Sequence, residues 1–179
     1  MRKLFDLDRK DYDETGSLFI RPSVRGIIIG NGKIAMVHSK KYDYYKFPGG
    51  GIEGGESQFE TLIREVKEEA GLTVRPESIR EFGMVHRKQK GQLGDTLVQD
   101  NYYYLCEVEE EVQKQILDDY EQEECFTLEF VEPETAIETN RERNHGPKDL
   151  TMIERESRVL EVLLEEGYFG CEGNSKIGK

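Results

Sequence analysis

Between Pro48 and Leu72 the chain reads PGGGIEGGESQFETLIREVKEEAGL, a glycine-crowded loop running straight into an amphipathic segment. No other stretch constrains the fold as much. Ser57 with Glu60 has the spacing of a reciprocal helix start, in which each side chain reaches the other residue's backbone N–H. Gly71 stands where a left-handed C-terminal cap belongs, and Pro76 soon afterwards forbids continuation. A helix over 58–70 is therefore predicted. Phe59, Leu62, Ile63, Val66 and Ala70 recur at the helical period and form its buried stripe.

On the same helix Glu65, Glu68 and Glu69 fall on a different arc, at spacings that bring side chains together. Like charges so placed repel mildly unless a cation joins them. Carboxylate oxygens are the donors that hard divalent cations prefer, and Mg²⁺ commonly binds through one or two carboxylates, waters and substrate phosphates. The glycines of the preceding loop lack Cβ atoms and let another group approach closely. A polyphosphate bridged to the protein by metal explains loop and acids together. A solvated acidic face explains the acids alone.

Elsewhere, SLFIRPSVRGIIIGNGKIAMVHSK reads as two strands around Asn31-Gly32, a strong hairpin signal. Strands are expected over 79–87 and 96–108, joined by the polar loop KQKGQLGD. The run Tyr102-Tyr103-Tyr104 marks a strand with alternate faces buried. An acidic, helical or irregular segment over 109–120 leads to a short strand near 126–131. A helix begins at Pro133, where proline is welcome in the first turn, and another covers about 148–166. Strands interleaved with helices imply an α/β (α+β) class with a mixed sheet and flanking helices. The absence of repeats and low-complexity linkers implies one domain over 1–170, with a flexible tail at 171–179.

The net charge of −12 argues against a nucleic-acid polymer held through its phosphates. Cys106, Cys125 and Cys171 show no paired ligand spacing, and an odd count suits a reducing compartment rather than a disulfide framework. The opening MRKLFDLDRK lacks the apolar stretch of a secretory signal, and no apolar run reaches the ~20 residues that span a bilayer. A cytoplasmic protein without membrane contact is expected. Arg25 and Arg87 are candidates for contact with substrate phosphate, because guanidinium matches phosphate oxygens; surface solubility explains them equally well.

Gly50, Glu56, Arg64-Glu65, Val66, Glu68-Glu69, Gly71 and Leu72 together resemble the signature box of the Nudix hydrolases, the MutT-like family, without one departure. The resemblance implies an α/β/α sandwich with a mixed β-sheet. It implies a pyrophosphohydrolase in which water attacks a phosphorus of a nucleoside di- or triphosphate linked to another moiety, with Mg²⁺ or Mn²⁺ as cofactor. Carried onto this chain, it implies Glu65, Glu68 and Glu69 as catalytic metal ligands and Gly49 as a carbonyl donor. Glu56 and Arg64 would tie loop to helix, and Gly50 and Gly71 would be backbone positions. Many members add an acid from a later loop; Glu121, Glu123 and Glu124 are available here, and Glu124 is the position taken. The partner class is a small nucleotide-type molecule, with a homodimer admissible. The alternative is a regulatory module of the same fold that binds a nucleotide without turning it over.

Overall fold

Asn31 and Gly32 both take positive φ, 53° and 72°, the backbone twist that folds strand β4 (Ile29–Gly30) back onto β5 (Lys33–Ser39). The computed structural model describes residues 1–170, so the tail expected at 171–179 lies outside the described residues. The chain entering this hairpin is one continuous strand in the sequence reading but three in the structure. Strand β2 (Leu18–Ile20) stops at Arg21-Pro22, where proline offers no N–H to a ladder. Strand β3 (Ser23–Ile27) follows, and Ile28 separates it from β4.

That break lets one run of chain serve two sheets. In the first, β7 (Arg80–Lys90) and β8 (Thr96–Leu105) form a long antiparallel pair. β1 (Lys3–Asp8) lies parallel to β7, and β2 and β3 follow one another along the far edge of β8, also parallel. β1 has no counterpart in the sequence reading, because its alternation of charged and apolar residues is short and weak. In the second sheet β5 pairs on one edge with β4 and β6 (Tyr44–Lys46) and on the other with β9 (Phe126–Val131), all antiparallel. The expected strand over 79–87 runs on to Lys90, and that over 96–108 ends at Leu105.

Helices cover both faces. α1 (Gln58–Ala70) lies against β3, β5 and β9 and shares a core with Val24, Ile28, Ala35 and Tyr104. α3 (Pro133–Glu142) and α4 (Leu150–Glu165) pack together on the opposite face, over Ile27, Ile34, Met36 and Tyr103. Adjacent Tyr103 and Tyr104 thus belong to different cores, as the strand period of two requires. The result is the expected α/β/α arrangement with a mixed sheet. No helix among the described residues is long and apolar enough to cross a membrane.

One feature of α4 escapes a periodicity reading. Arg155 and Glu156 are both fully buried. Arg155 Nε donates to Glu156 Oε1 at 2.8 Å, and its Nη1 donates to the Asn101 side chain. Glu156 Oε2 accepts from the Phe47 backbone N–H at 2.9 Å, and Asn101 Oδ1 also accepts from Ser23 Oγ at 2.8 Å. The network joins α4 to β3, β8 and the end of β6.

Candidate active site

The loop after β6 is held in place by strand β3. Gly26 N–H donates to Pro48 O at 2.8 Å, Val24 N–H to Gly50 O at 2.9 Å, and Ile52 N–H to Pro22 O at 3.0 Å. Residues 48–52 therefore run along β3 like a further strand. Gly49 takes φ +142°, and a Cβ there would stand 2.2 Å from Val24 O. At Gly50 a Cβ would meet the whole Glu65 carboxylate at 2.4 Å. The missing side chains let the helix acid rest directly on the loop backbone.

α1 has the ends its sequence predicts. Ser57 and Glu60 complete the capping box, and Gly71 caps the C-terminus at φ 67°. Arg64 organises the exposed half of the acidic arc. Its Nε and Nη2 grip both oxygens of Glu56 at 2.7 and 2.8 Å, and its Nη1 reaches Glu65 at 2.8 Å and Glu68 at 3.0 Å. The Arg64 hydrogen bond is the main reason that the Glu56 carboxyl is pulled down to about 2. Burial acts the other way on Glu65 and pushes it up, against the pull of Arg64, Arg25 and Lys46.

Glu69 has a different setting. It is 2% exposed. One oxygen accepts from Lys46 Nζ at 2.5 Å, and the other from Gly49 N–H at 2.9 Å. Next to it is Glu121, pushed up by burial and then by its contact with Glu69. Glu121 arrives there because residues 109–118 are irregular and pinned to the C-terminal end of α1. Gln113 N–H donates to Gly71 O at 2.7 Å, Ile116 N–H to Glu68 O at 2.8 Å, and Gln115 Nε2 to Glu69 O. These donors satisfy carbonyls that a helix end leaves unpaired. A Cβ at Gly71 would stand 2.1 Å from Gln113 O, so this glycine also makes room for that crossing.

The short helix α2 (Asp119–Glu123) then places Glu121. Glu121 Oε2 accepts from Asp118 N–H at 2.9 Å, one half of a second capping box, and Asp118-x-x-Glu121 is a capping pattern visible in the sequence. Glu124 is committed elsewhere: Oε2 accepts from Ser39 Oγ at 3.0 Å and Tyr44 OH at 2.9 Å, while Oε1 accepts from Lys148 at 2.5 Å. Glu123 is exposed and paired with Lys41. Of the three late acids, the structure brings Glu121 to Glu69.

The two candidate arginines part company. Arg87 is buried in the β7–β8 sheet, donating to Asp149, to Gln89 at 3.0 Å and to Gln99 at 3.5 Å. Burial and nearby Arg155 pull its guanidinium down to about 10. It lines a cavity of about 430 Å³ together with Phe19, Arg21, Leu97, Gln99 and Asp149. Arg21 connects this cavity to the loop, its Nε lying 2.8 Å from where a Gly51 Cβ would be. Arg25 is only 8% exposed, and its Nε and Nη1 are buried without a hydrogen-bond partner among the described residues. Its charge is felt by Glu65, Glu156 and Tyr120.

Among the described residues no three acids, histidines or cysteines converge closely enough to hold a metal ion as they stand. Protein cations neutralise the glutamates instead. The donor set nevertheless suits a hard divalent ion. Glu65 and Glu68 each give one oxygen to Arg64, and their other oxygens have no hydrogen-bond partner among the described residues. The two unpartnered nitrogens of Arg25 can likewise donate to an anion. A diphosphate carrying a divalent ion supplies both.

The profile of the NUDIX domain matches residues 20–153. A protein named RNA pyrophosphohydrolase from Baumannia cicadellinicola is 42% identical over 62 residues, 34% of this chain and 37% of that protein. A protein named ADP-ribose pyrophosphatase from Methanocaldococcus jannaschii is 36% identical over 67 residues, 35% of this chain and 40% of that protein. The chain spans well under half the length of these curated relatives. Among solved structures, a NUDIX hydrolase from Nitrosomonas europaea superposes with a TM-score of 0.57 at 16% identity, covering 90% of this chain and 97% of that one. A MutT NUDIX hydrolase from Burkholderia pseudomallei gives 0.55 at 17% identity, covering 80% and 97%. These likenesses concern the fold.

Proposed function

We propose, on the premise that this chain belongs to the NUDIX domain family, that it hydrolyses a diphosphate bond in a nucleoside di- or triphosphate derivative with the help of Mg²⁺ or Mn²⁺. One observation carries this reading: unmet charge of both signs in a single place. Glu65 and Glu68 each keep a carboxylate oxygen without a partner among the described residues, and Arg25, whose charge is felt by Glu65, keeps two buried guanidinium nitrogens without one. A divalent ion bound to a diphosphate is the ligand class that answers both.

Glu65, Glu68 and Glu69 would hold the metal, and Glu121, whose oxygens take Asp118 N–H and Tyr120 OH at 2.9 Å, lies against Glu69. Arg64, gripping Glu56 as well as Glu65 and Glu68, is the positioning residue that orients those two. Bound there, the metal supplies charge neutralisation and a lowered pKa for an attacking water. Arg25 would bind a phosphoryl oxygen and stabilise the charge that spreads over it as the bond to the leaving group breaks. The cavity beyond Gly51, with Phe19, Arg21 and Gln99, would take the group attached to the diphosphate.

The names of the curated relatives indicate two substrates to try first. Purified protein incubated with Mg²⁺ or Mn²⁺ and a panel of nucleoside triphosphates, ADP-ribose and a 5′-triphosphorylated RNA oligonucleotide should release phosphate, pyrophosphate or a nucleoside monophosphate from at least one. Glu68→Gln should reduce that turnover by ~10²–10³, the usual cost of one preorganised electrostatic partner. Metal-dependent ligand binding without product under any condition would replace the hydrolase by the non-catalytic nucleotide-binding module.

A further inference from the structure

The cavity of about 430 Å³ is floored by three neighbouring strands, β7, β8 and β2, whose odd-numbered side chains share one face. The register sets Phe19 beside Leu97, Leu97 beside Gln89, and, one step along, Gln99 beside Arg87. Arg21, two residues after Phe19, completes the second row on the side of the glycine loop, close to Gly51. The floor therefore has an apolar row, Phe19 and Leu97, and a polar row, Arg21, Gln99 and Arg87. Phe19 is 48% exposed. An aromatic face left open next to an aliphatic side chain is a platform for a flat ring.

Gln99 decides what the edge of that ring meets. Its Oε1 accepts from Arg87 Nη1 at 3.5 Å and from Arg155 Nη1 at 3.3 Å. Turning the amide round would set its NH₂ against two guanidinium groups, which have donors only. The carbonyl is thus held toward the arginines, and Nε2, without a partner among the described residues, is left for the cavity. Arg21 in the same row also brings donors alone. Gln89 is spent, accepting from Arg87 at 3.0 Å and donating to Asp149 at 3.1 Å. Asp95 does carry acceptor oxygens into the cavity, but four residues of strand, roughly 13 Å, separate it from Gln99. The two cannot read one edge of a ring.

We infer that this cavity is a nucleobase pocket selective for 6-oxopurines, with Gln99 as the residue that sets the preference. A 6-oxopurine places two acceptors, O6 and N7, side by side, and Gln99 Nε2 and Arg21 supply two donors to meet them. A 6-aminopurine puts an N–H donor where O6 stood, facing donors that have nothing to accept it. Arg87 and Arg155 act here as positioning residues, because they fix which end of the amide the base sees. The inference rests on the reading of this cavity as the seat of the group attached to the diphosphate.

Inosine 5′-monophosphate and adenosine 5′-monophosphate are the probes, titrated calorimetrically without metal. They differ at the 6-position and its neighbouring ring proton, and neither has a diphosphate to cut. The wild type should bind the inosine nucleotide tighter by about tenfold or more, with guanosine 5′-monophosphate following it. Gln99→Met keeps the length and removes the donor, and should bring the ratio to within about threefold of unity. Gln99→Glu, which can accept from both arginines and turn its second oxygen to the cavity, should shift the preference toward adenosine. Circular dichroism establishes that each variant is folded. Equal affinities in the wild type, no binding of either nucleotide, or an unaltered ratio in folded Gln99→Met overturns the inference. Should Gln99→Met fail to fold, the wild-type ratio decides. Hydrolysis without base discrimination strikes the pocket and leaves the hydrolase. The expected binding ratio without hydrolysis of any substrate leaves the pocket and strikes the hydrolase.

Discussion

Among the described residues two ion pairs are sealed in the interior, Lys46–Glu69 and Arg155–Glu156, and the fold treats them differently. Around Arg155–Glu156 the neighbouring polar groups are accounted for: Asn101 and Gln99 accept from the guanidinium, and Phe47 N–H and Tyr103 OH donate to the carboxylate. The network is closed and ties helix to sheet. Around Lys46–Glu69 the accounts stay open. A second acid, Glu121, touches Glu69, Glu65 lies nearby against its own desolvation, and Arg25 holds two nitrogens without partners. Burying charge is costly in both places. What distinguishes a candidate site from a structural strut is charge left unmet after the protein's own partners are counted.

The sharpest way to break this comparison is to open the closed pair. Arg155→Met leaves Glu156 buried without its cation and should cost ~3–5 kcal/mol in urea unfolding, while the Mn²⁺ count of the folded protein stays at the wild-type value. A loss under ~1 kcal/mol would mean that the network is not the strut described. A smaller effect separates helix stability from site chemistry. Ser57→Ala removes the cap of α1 and should cost ~1 kcal/mol in the same assay. Its Mn²⁺ affinity should not move, because the acids are positioned by Arg64, Lys46 and the loop rather than by the helix end.

The smallest effect belongs to a third, partly exposed pair, Glu56–Arg64. In the folded chain the Glu56 carboxyl lies at about 2, below its ordinary 4.5, chiefly through the Arg64 hydrogen bond. Its stabilisation is therefore complete above pH 4.5 and disappears as pH falls toward 2. Glu56→Gln should melt below the wild type at neutral pH, and the two melting curves should converge in that acid window. The neutral-pH gap should also narrow in high salt. A gap of constant size down to pH 2 would assign the effect to packing instead.

What was legible in the sequence was what neighbouring residues decide among themselves. The cap at Ser57, the left-handed Gly71, the Asn31-Gly32 turn and the Leu62, Val66 and Ala70 stripe of α1 all rest on short-range geometry, and the structure has each of them, whereas Phe59, expected in that stripe, is 48% exposed with its ring edge-on to Tyr104. The break of one apparent strand into β2, β3 and β4 was half legible: Pro22 signals the first interruption, but only the second sheet gives Ile28 a reason to mark another. Glu121 was hidden for a different reason. Its own capping pattern places it on a short helix, but its contact with Glu69 depends on residues 109–118 crossing the end of α1.

The sequence by itself determined where the acids, the loop glycines and the capped helix lie, because helical periodicity and backbone sterics act over a few residues. Which acids are spoken for was settled only by tertiary structure. Lys46 reaches Glu69 from another element, Lys148 and Tyr44 claim Glu124, and Arg25 is buried with two nitrogens lacking a partner among the described residues. Charge compensation in a poorly solvated interior is a matter of distance in space, and distances between remote segments exist only once the two sheets and their helices have closed on one another.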